Sequence, residues 1–332
     1  MLTPNHYHNK HKEQVNIVQP GTKDLLFETT EGLINQNGKI VFYKNNGTYK
    51  IESESNYTSN FGFEWNIFHQ TQLDSYSGTN ISRKRFFATT HWNRNMKGEN
   101  ILEVGCGAGR FSEIVLKYTN ANLYAIDYSN AVDANYKNNG PHDRLKLFQA
   151  NMFHLPFAEN SFDKIFCFGV LQHTPDFKRA LECMATVLKP GGELVVDFYP
   201  IKGWYTKVNA KYMLRPFLRR MDHEKMLRLI KKTIPWMKKI YFYNQRNGLS
   251  LFNRFIPISE MPEALRKCLS PQEIEEWMVL DTFDMFSPVY DKPQRLKTVR
   301  KWFLELDFIN VEADFIQYDK EMYAAVVKGT KS

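Results

Sequence analysis

The sequence predicts an α/β fold built on a doubly wound, mostly parallel sheet, and three observations lead there. First, residues 100–118 read as strand, glycine turn and helix. Ile101, Leu102 and Val104 make a short apolar run, three glycines follow within five residues, and Ile114, Val115 and Tyr118 recur at helical spacing. Second, strand-like runs return in succession at Leu123–Ile126, Leu145–Gln149, Phe162–Phe168 and Glu193–Phe198. Third, a late helix carrying Val299, Trp302, Phe303 and Leu306 precedes two further runs, Phe308–Ile316 and Met322–Lys328. In a sheet of this kind ligands settle beyond the strand ends.

The first turn is the most informative stretch. It runs Gly105-Cys106-Gly107-Ala108-Gly109, one residue tighter than the G-x-G-x-x-G of a dinucleotide loop. Glu103 would be a poor neighbour for a pyrophosphate and suits a ligand carrying an ammonium and a sulfonium. A glycine turn with no ligand is the bland alternative. Asp127 ends the second strand 22 residues after Gly105. An acid there reaches ribose hydroxyls in such folds, or simply caps the helix beginning near Ser129. Further on come Ala150–Phe157, the turn Gly169-Val170-Leu171-Gln172-His173-Thr174-Pro175-Asp176, and Leu188-Lys189-Pro190-Gly191-Gly192. Together these stretches resemble, in order, the motifs of the class I S-adenosylmethionine (SAM)-dependent methyltransferases. The likeness is to the type 11 branch, which acts on small molecules and lipids; it covers residues 57–199 closely and 281–329 more loosely.

The resemblance implies a Rossmann-like, seven-stranded sheet, SAM as cofactor and no metal. Gly105, Cys106, Gly107 and Gly109 would accept the methionine part, with Glu103 near its cationic end. Asp127 would take the ribose hydroxyls, with Tyr128 beside it in the cofactor set. Asn151 and Met152 would flank adenine. Relatives usually carry an acid at the Asn151 position, so Asn151 departs from the pattern while keeping an acceptor oxygen. Phe168 and Gly169 would border the methyl group. Such a site works chiefly by holding acceptor, methyl carbon and sulfur in line. A base is needed only when the acceptor keeps its proton, and His173, just past the fourth strand, is the candidate. The competing reading has His173 starting a helix or touching the cofactor.

Several acceptors fit poorly. No Asn/Asp-Pro-Pro-aromatic run of nucleobase amine methylation follows Phe168, Cys167 lies within a strand rather than beside a pocket, and the cysteine set of arsenic methylation is missing. A small-molecule or lipid-linked acceptor, methylated at oxygen, is the expectation. The glycine spacing and Glu103 argue against an NAD-dependent oxidoreductase. A non-catalytic SAM-binding scaffold and an RNA methyltransferase stay open.

At 43% hydrophobic and 24% charged, the 332 residues have an ordinary globular composition. Residues 1–56 are expected to hold a flexible tail and a small β appendage. In the tail, His6, His8 and His11 invite a metal reading, but no acid or cysteine cluster joins them, and a solvated tail is the simpler one. Asn37-Gly38 and Asn46-Gly47 separate short alternating runs at Gly32–Asn35, Lys39–Tyr43 and Thr48–Ile51, a hairpin signature. Residues 57–199 form the cofactor core, whose aromatic Phe61–Asn66 stretch is either core or a lid over the cofactor. Residues 293–332 close the core, with Pro293-Gln294 opening the last helix and Asp291 its candidate cap.

Residues 200–292 are then an insertion above the strand ends. Between Lys202 and Lys239 it carries eight Lys and four Arg against Asp222 and Glu224. With aromatic and aliphatic residues interleaved, 202–239 fits a solvated lid over the acceptor pocket, peripheral contact with an anionic membrane, or, less well, a nucleic-acid surface. Near its end Asp281, Asp284 and Asp291 stand with Tyr290; they would orient an acceptor, or cap helices and pair with the basic lid. The scattered cysteines and the lack of a spanning apolar run fit a cytoplasmic protein, one that the basic stretch could bring to a membrane surface.

Overall fold

The computed structural model describes residues 15–51 and 56–332, so His6, His8 and His11 lie outside the described residues. The chain opens with four short strands, β1 Phe27–Glu28, β2 Gly32–Ile34, β3 Ile40–Asn45 and β4 Thr48–Lys50. Three helices follow: α1 Ser59–Ile67, α2 Asp74–Ser77 and α3 Ile81–Thr90. The alternating core is β5 Asn100–Val104, α4 Arg110–Tyr118, β6 Asn122–Asp127, α5 Ala131–Asn139, β7 Leu145–Gln149, β8 Phe162–Phe168, α6 Phe177–Val187 and β9 Leu188–Phe198. The insertion contributes α7 Ala210–Leu218, α8 His223–Arg246, α9 Glu263–Arg266 and α10 Pro271–Phe286. The chain then runs through α11 Leu296–Glu305, β10 Phe308–Asp319 and β11 Met322–Lys331.

The strands form one sheet in the order β1-β2-β3-β4-β7-β6-β5-β8-β9-β11-β10. From β4 to β9 all neighbours are parallel, whereas β11 enters antiparallel between β9 and β10. Parallel strands are covered on both faces and therefore read as unbroken apolar runs. All five residues of β5 are buried. On α4, Phe111, Ile114, Val115 and Leu116 form the buried stripe. Caps fix the helix starts: Asp176 accepts the amide of Arg179 at 3.0 Å, and Ser270 with Glu273 closes a capping box ahead of Pro271 on α10.

Three expectations change. The sheet has eleven strands rather than seven, because the β appendage is not a separate module. Thr48, Tyr49 and Lys50 pair in parallel with Leu147, Phe148 and Gln149, so the four N-terminal strands extend the main sheet to eleven. Asp291 caps nothing: it pairs with Lys211 of α7 at 2.9 Å. The last helix begins later than read, after Arg295, because Gln294 is held extended against Tyr199 and Pro200.

The insertion has its own apolar core. Met226, Ile230 and Ile234 of α8 bury against Met278, Phe283 and Phe286 of α10, joined by Phe68 and Met322 from the rest of the chain. Part of its positive charge is internal. Beside the Lys211–Asp291 pair, Arg215 donates to the carbonyls of Phe286 and Pro288 and ties α7 to the end of α10. No helix among the described residues is long and apolar enough to cross a membrane.

Candidate active site

A cavity of about 650 Å³ opens beyond the carboxyl ends of β5, β6 and β8, roofed by α1 and by α10 of the insertion. Its floor is the β5–α4 turn. Gly105 has φ +79°, and a Cβ there would meet the Val170 side chain at 2.5 Å. Backbone and neighbour together demand glycine. The indole of Trp65, from α1, lies over Gly107, where a Cβ would meet its Nε1 at 3.2 Å. Gly105, Cys106 and Gly107 line the cavity, as do Asp127, Tyr128, Met152, Phe168 and Gly169.

Three residues read from the sequence as cofactor contacts do not line it. Gly109 starts α4 instead, and its carbonyl accepts from the Asn139 carboxamide at 3.0 Å. Asn151 turns its oxygen to the amide of Phe153 at 3.0 Å. Glu103 points into the fold, 2% exposed, where it accepts the hydroxyl of Ser112 at 2.5 Å. Burial raises the Glu103 carboxyl to about 8, so at neutral pH it is held largely as the neutral acid. Asp127 does not cap α5, whose N-cap is Asn130. It reaches the cavity, yet Oδ2 accepts from Gly107 N at 2.9 Å and Oδ1 from Ser129 N at 2.8 Å, bracing the glycine turn against the next loop.

His173 is 4% exposed and lines the cavity. Its Nδ1 lies 3.0 Å from the Tyr290 carbonyl, which can only accept, so Nδ1 carries the proton and Nε2 keeps its lone pair. Nε2 has no partner. Burial holds the imidazole below the usual histidine range, hence neutral near pH 7. The Phe61 and Tyr199 rings flank it at 5.3 and 5.5 Å.

Of the remaining wall, Asp281 and Asp284 were read as candidates to orient an acceptor, whereas the arginines and Asp197 escaped the sequence reading. Arg85 donates to Asp197 Oδ2 at 2.9 and 2.6 Å, while Asp197 Oδ1 takes the Gly169 amide at 2.6 Å, so one carboxylate fixes both the end of β8 and a guanidinium. Arg110 is held by Ser82 Oγ and Gln72 Oε1. Asp281 accepts from Gln72 and Trp277, and Asp284 accepts the Tyr199 hydroxyl at 3.0 Å. Glu64 and Lys211 complete this wall. The signal for Glu64, a lone acid on the aromatic face of Phe61–Asn66, was visible, but only packing against α10 gives it meaning.

The arrangement fits SAM. The positive-φ glycines leave room for close backbone approach, Asp127 offers acceptor oxygens beside them, and the Trp65 face and Phe168 supply the aromatic surround a sulfonium favours. Comparison with known proteins agrees. The family model described as a methyltransferase domain matches residues 102–196. Methyltransferase GfsG of Streptomyces halstedii is 32% identical over 110 residues, 32% of this chain and 40% of its own. A tRNA U34 carboxymethyltransferase of Nautilia profundicola is 31% identical over 111 residues, 33% and 37% of the two chains. A ubiquinone biosynthesis O-methyltransferase of Coxiella burnetii is 32% identical over 123 residues, 36% and 52%. The chain thus spans about two fifths to one half of the length of these curated relatives. Residues 102–196 thus match a methyltransferase domain of the type 11, SAM-dependent kind.

Proposed function

We propose that this protein transfers the methyl group of SAM to a hydroxyl of a small-molecule or lipid-like acceptor, with His173 as general base. Bound SAM supplies an activated methyl group, so the chain need only bind, orient and deprotonate. Gly105, Cys106 and Gly107 would hold the methionine part, Asp127 and Tyr128 the ribose side and Met152 the adenine, with Phe168 and Gly169 beside the methyl group. The observation that carries the reading is the free, buried Nε2 lone pair of His173 on the cavity wall. Held by a backbone carbonyl in the tautomer that leaves Nε2 as an acceptor, the ring is in the form that can take a proton. The Phe61 and Tyr199 rings pack beside that imidazole.

The insertion would bring the acceptor. Trp204, Phe217 and Leu251 are 87, 75 and 72% exposed among the basic side chains of this region. Arg254 bonds the carbonyls of Tyr205 and Val208, placing two of these aromatic-rich turns side by side. That combination supports peripheral contact with an anionic membrane and a lipid-like acceptor. A tRNA-modifying relative favours a second reading, an RNA acceptor on the same basic surface.

The test is methyl-labelled SAM incubated with the protein and an extract of its source organism, then partitioned. Label in the organic phase supports the lipid-like acceptor, and label in small aqueous molecules a polar one. Nuclease-sensitive label overturns the small-molecule reading. SAM bound without label transfer in any fraction leaves a non-catalytic binding protein.

A further inference from the structure

One wall of the cavity is acidic, and its carboxyls carry no ion pair among the described residues. Glu64 sits on the inner face of α1, 0% exposed, and neither carboxyl oxygen has a hydrogen-bond partner. Asp281 and Asp284 of α10 face the same space. Among the described residues, no Lys, Arg or His lies within ion-pair distance of any of the three. The nearby cations are otherwise engaged: Lys211 by Asp291, Arg85 by Asp197, and Arg110 by neutral oxygens of Ser82 and Gln72.

Burying a carboxyl with nothing to bond is costly even when neutral, and more so when charged. Packing alone would favour Leu or Met at such a place. No group of His, Cys, Asp and Glu among the described residues has the arrangement of a metal site. The missing donor is therefore expected on a ligand. Burial and the two neighbouring aspartates push the Glu64 carboxyl well above its usual range, and an arriving cation reverses that.

We propose that Glu64, backed by Asp281 and Asp284, is the seat of a protonated amine carried by the methyl acceptor. The inference rests on reading the cavity as a methyl-transfer site. An ammonium has no lone pair, so the amine is the handle by which the acceptor is gripped, and another atom receives the methyl group. Phe61, three residues before Glu64 on α1, touches His173. Residues so spaced lie about 5–6 Å apart on a helix, and the His173 ring stands 5.3 Å beyond Phe61, so the amine seat and the base are within about two such steps of each other. The acceptor is then a compact amino alcohol, or a larger molecule ending in one.

The probe is propanolamine, compared with butanol, in which a methyl replaces the ammonium, and with potassium chloride at equal ionic strength. Each is titrated into the full chain with and without S-adenosylhomocysteine (SAH), and carboxyl-carbon NMR follows Glu64, identified by its loss in Glu64→Gln. Propanolamine should shift the Glu64 carboxyl while butanol and salt do not. The Gln variant should bind propanolamine about tenfold or more weakly, the value of a charge-assisted hydrogen bond, with SAH affinity unchanged. No amine-specific shift at Glu64 overturns the proposal. So does a folded Gln variant that loses SAH affinity, because Glu64 would then serve the cofactor's own ammonium. If the Gln variant does not fold, Glu64→Asp supplies the assignment and the wild-type titration decides. Failure of the wild-type protein to bind SAH would instead sink the methyl-transfer reading, separately from the amine result.

Discussion

Replacing Asp197 tests whether the cavity wall is built as described. Its side chain is 1% exposed and holds two things at once, the Arg85 guanidinium through Oδ2 and the Gly169 amide through Oδ1. Asp197→Ala strands a guanidinium that is only 19% exposed. Breaking a buried ion pair by removing one partner costs roughly 3–5 kcal/mol, and partial exposure of Arg85 puts this case near the lower end. The lost acceptor for Gly169 adds about 1 kcal/mol, tempered by the Asp197 carbonyl, which still lies 3.3 Å from that amide. The expected destabilisation is therefore about 3–4 kcal/mol. Urea unfolding would report it as a lowered midpoint at unchanged slope. In the double variant Arg85→Met, Asp197→Ala no charge is stranded, so much of the loss should return. A single-variant cost below about 1 kcal/mol, or strictly additive losses, would refute the argument.

His173→Asn should lower kcat by about 10²–10⁴ with little change in SAH affinity. The wild-type rate should be flat above about pH 6.5 and fall on the acid side, because protonation removes the base and burial holds its titration low; a variant that keeps the acid limb would clear His173 of that role. Glu103 gives the opposite sign in stability. Its folded carboxyl titrates near 8 against an ordinary 4.5, so between those values the native state holds a proton the unfolded chain has released, and stability falls as pH rises. Glu103→Gln should flatten that slope in melting curves recorded from pH 5 to 8. Gly105→Ala, forced to φ +79° and against Val170, should weaken SAH binding about tenfold by calorimetry, with Val170→Ala restoring only the part due to the clash.

The glycine-turn side of the cavity was largely legible because its geometry is local. The β5 strand, the glycine turn, Asp127 and the Phe168-Gly169 end each follow from a short stretch of sequence. Where the reading missed, the cause was direction. Glu103 lies on a strand buried on both faces, and its side chain goes to Ser112 rather than to the turn. Asn151 spends its oxygen on its own loop, as asparagine commonly does. The opposite wall depends on α1 meeting α10, more than 200 residues later, and no local pattern announces that Glu64 will face Asp281 and Asp284. The Asp281–Asp291 cluster divides for the same reason: two of its acids reach the cavity, and Asp291 finds Lys211.

The sheet order also says something about synthesis. The strand that completes the core, β11, leaves the ribosome after both of its neighbours, yet it fits inside the sheet between β9 and β10. From the moment Phe198 emerges until Met322 follows, β9 presents a bare edge of Leu194, Val195 and Val196, while the whole insertion is still being made. Pairings of such long separation form slowly, and an open apolar edge is where nascent chains join one another. The cell therefore has to shelter this edge, and a chain stopped short of Met322 should aggregate even though the glycine turn and every parallel strand are already complete.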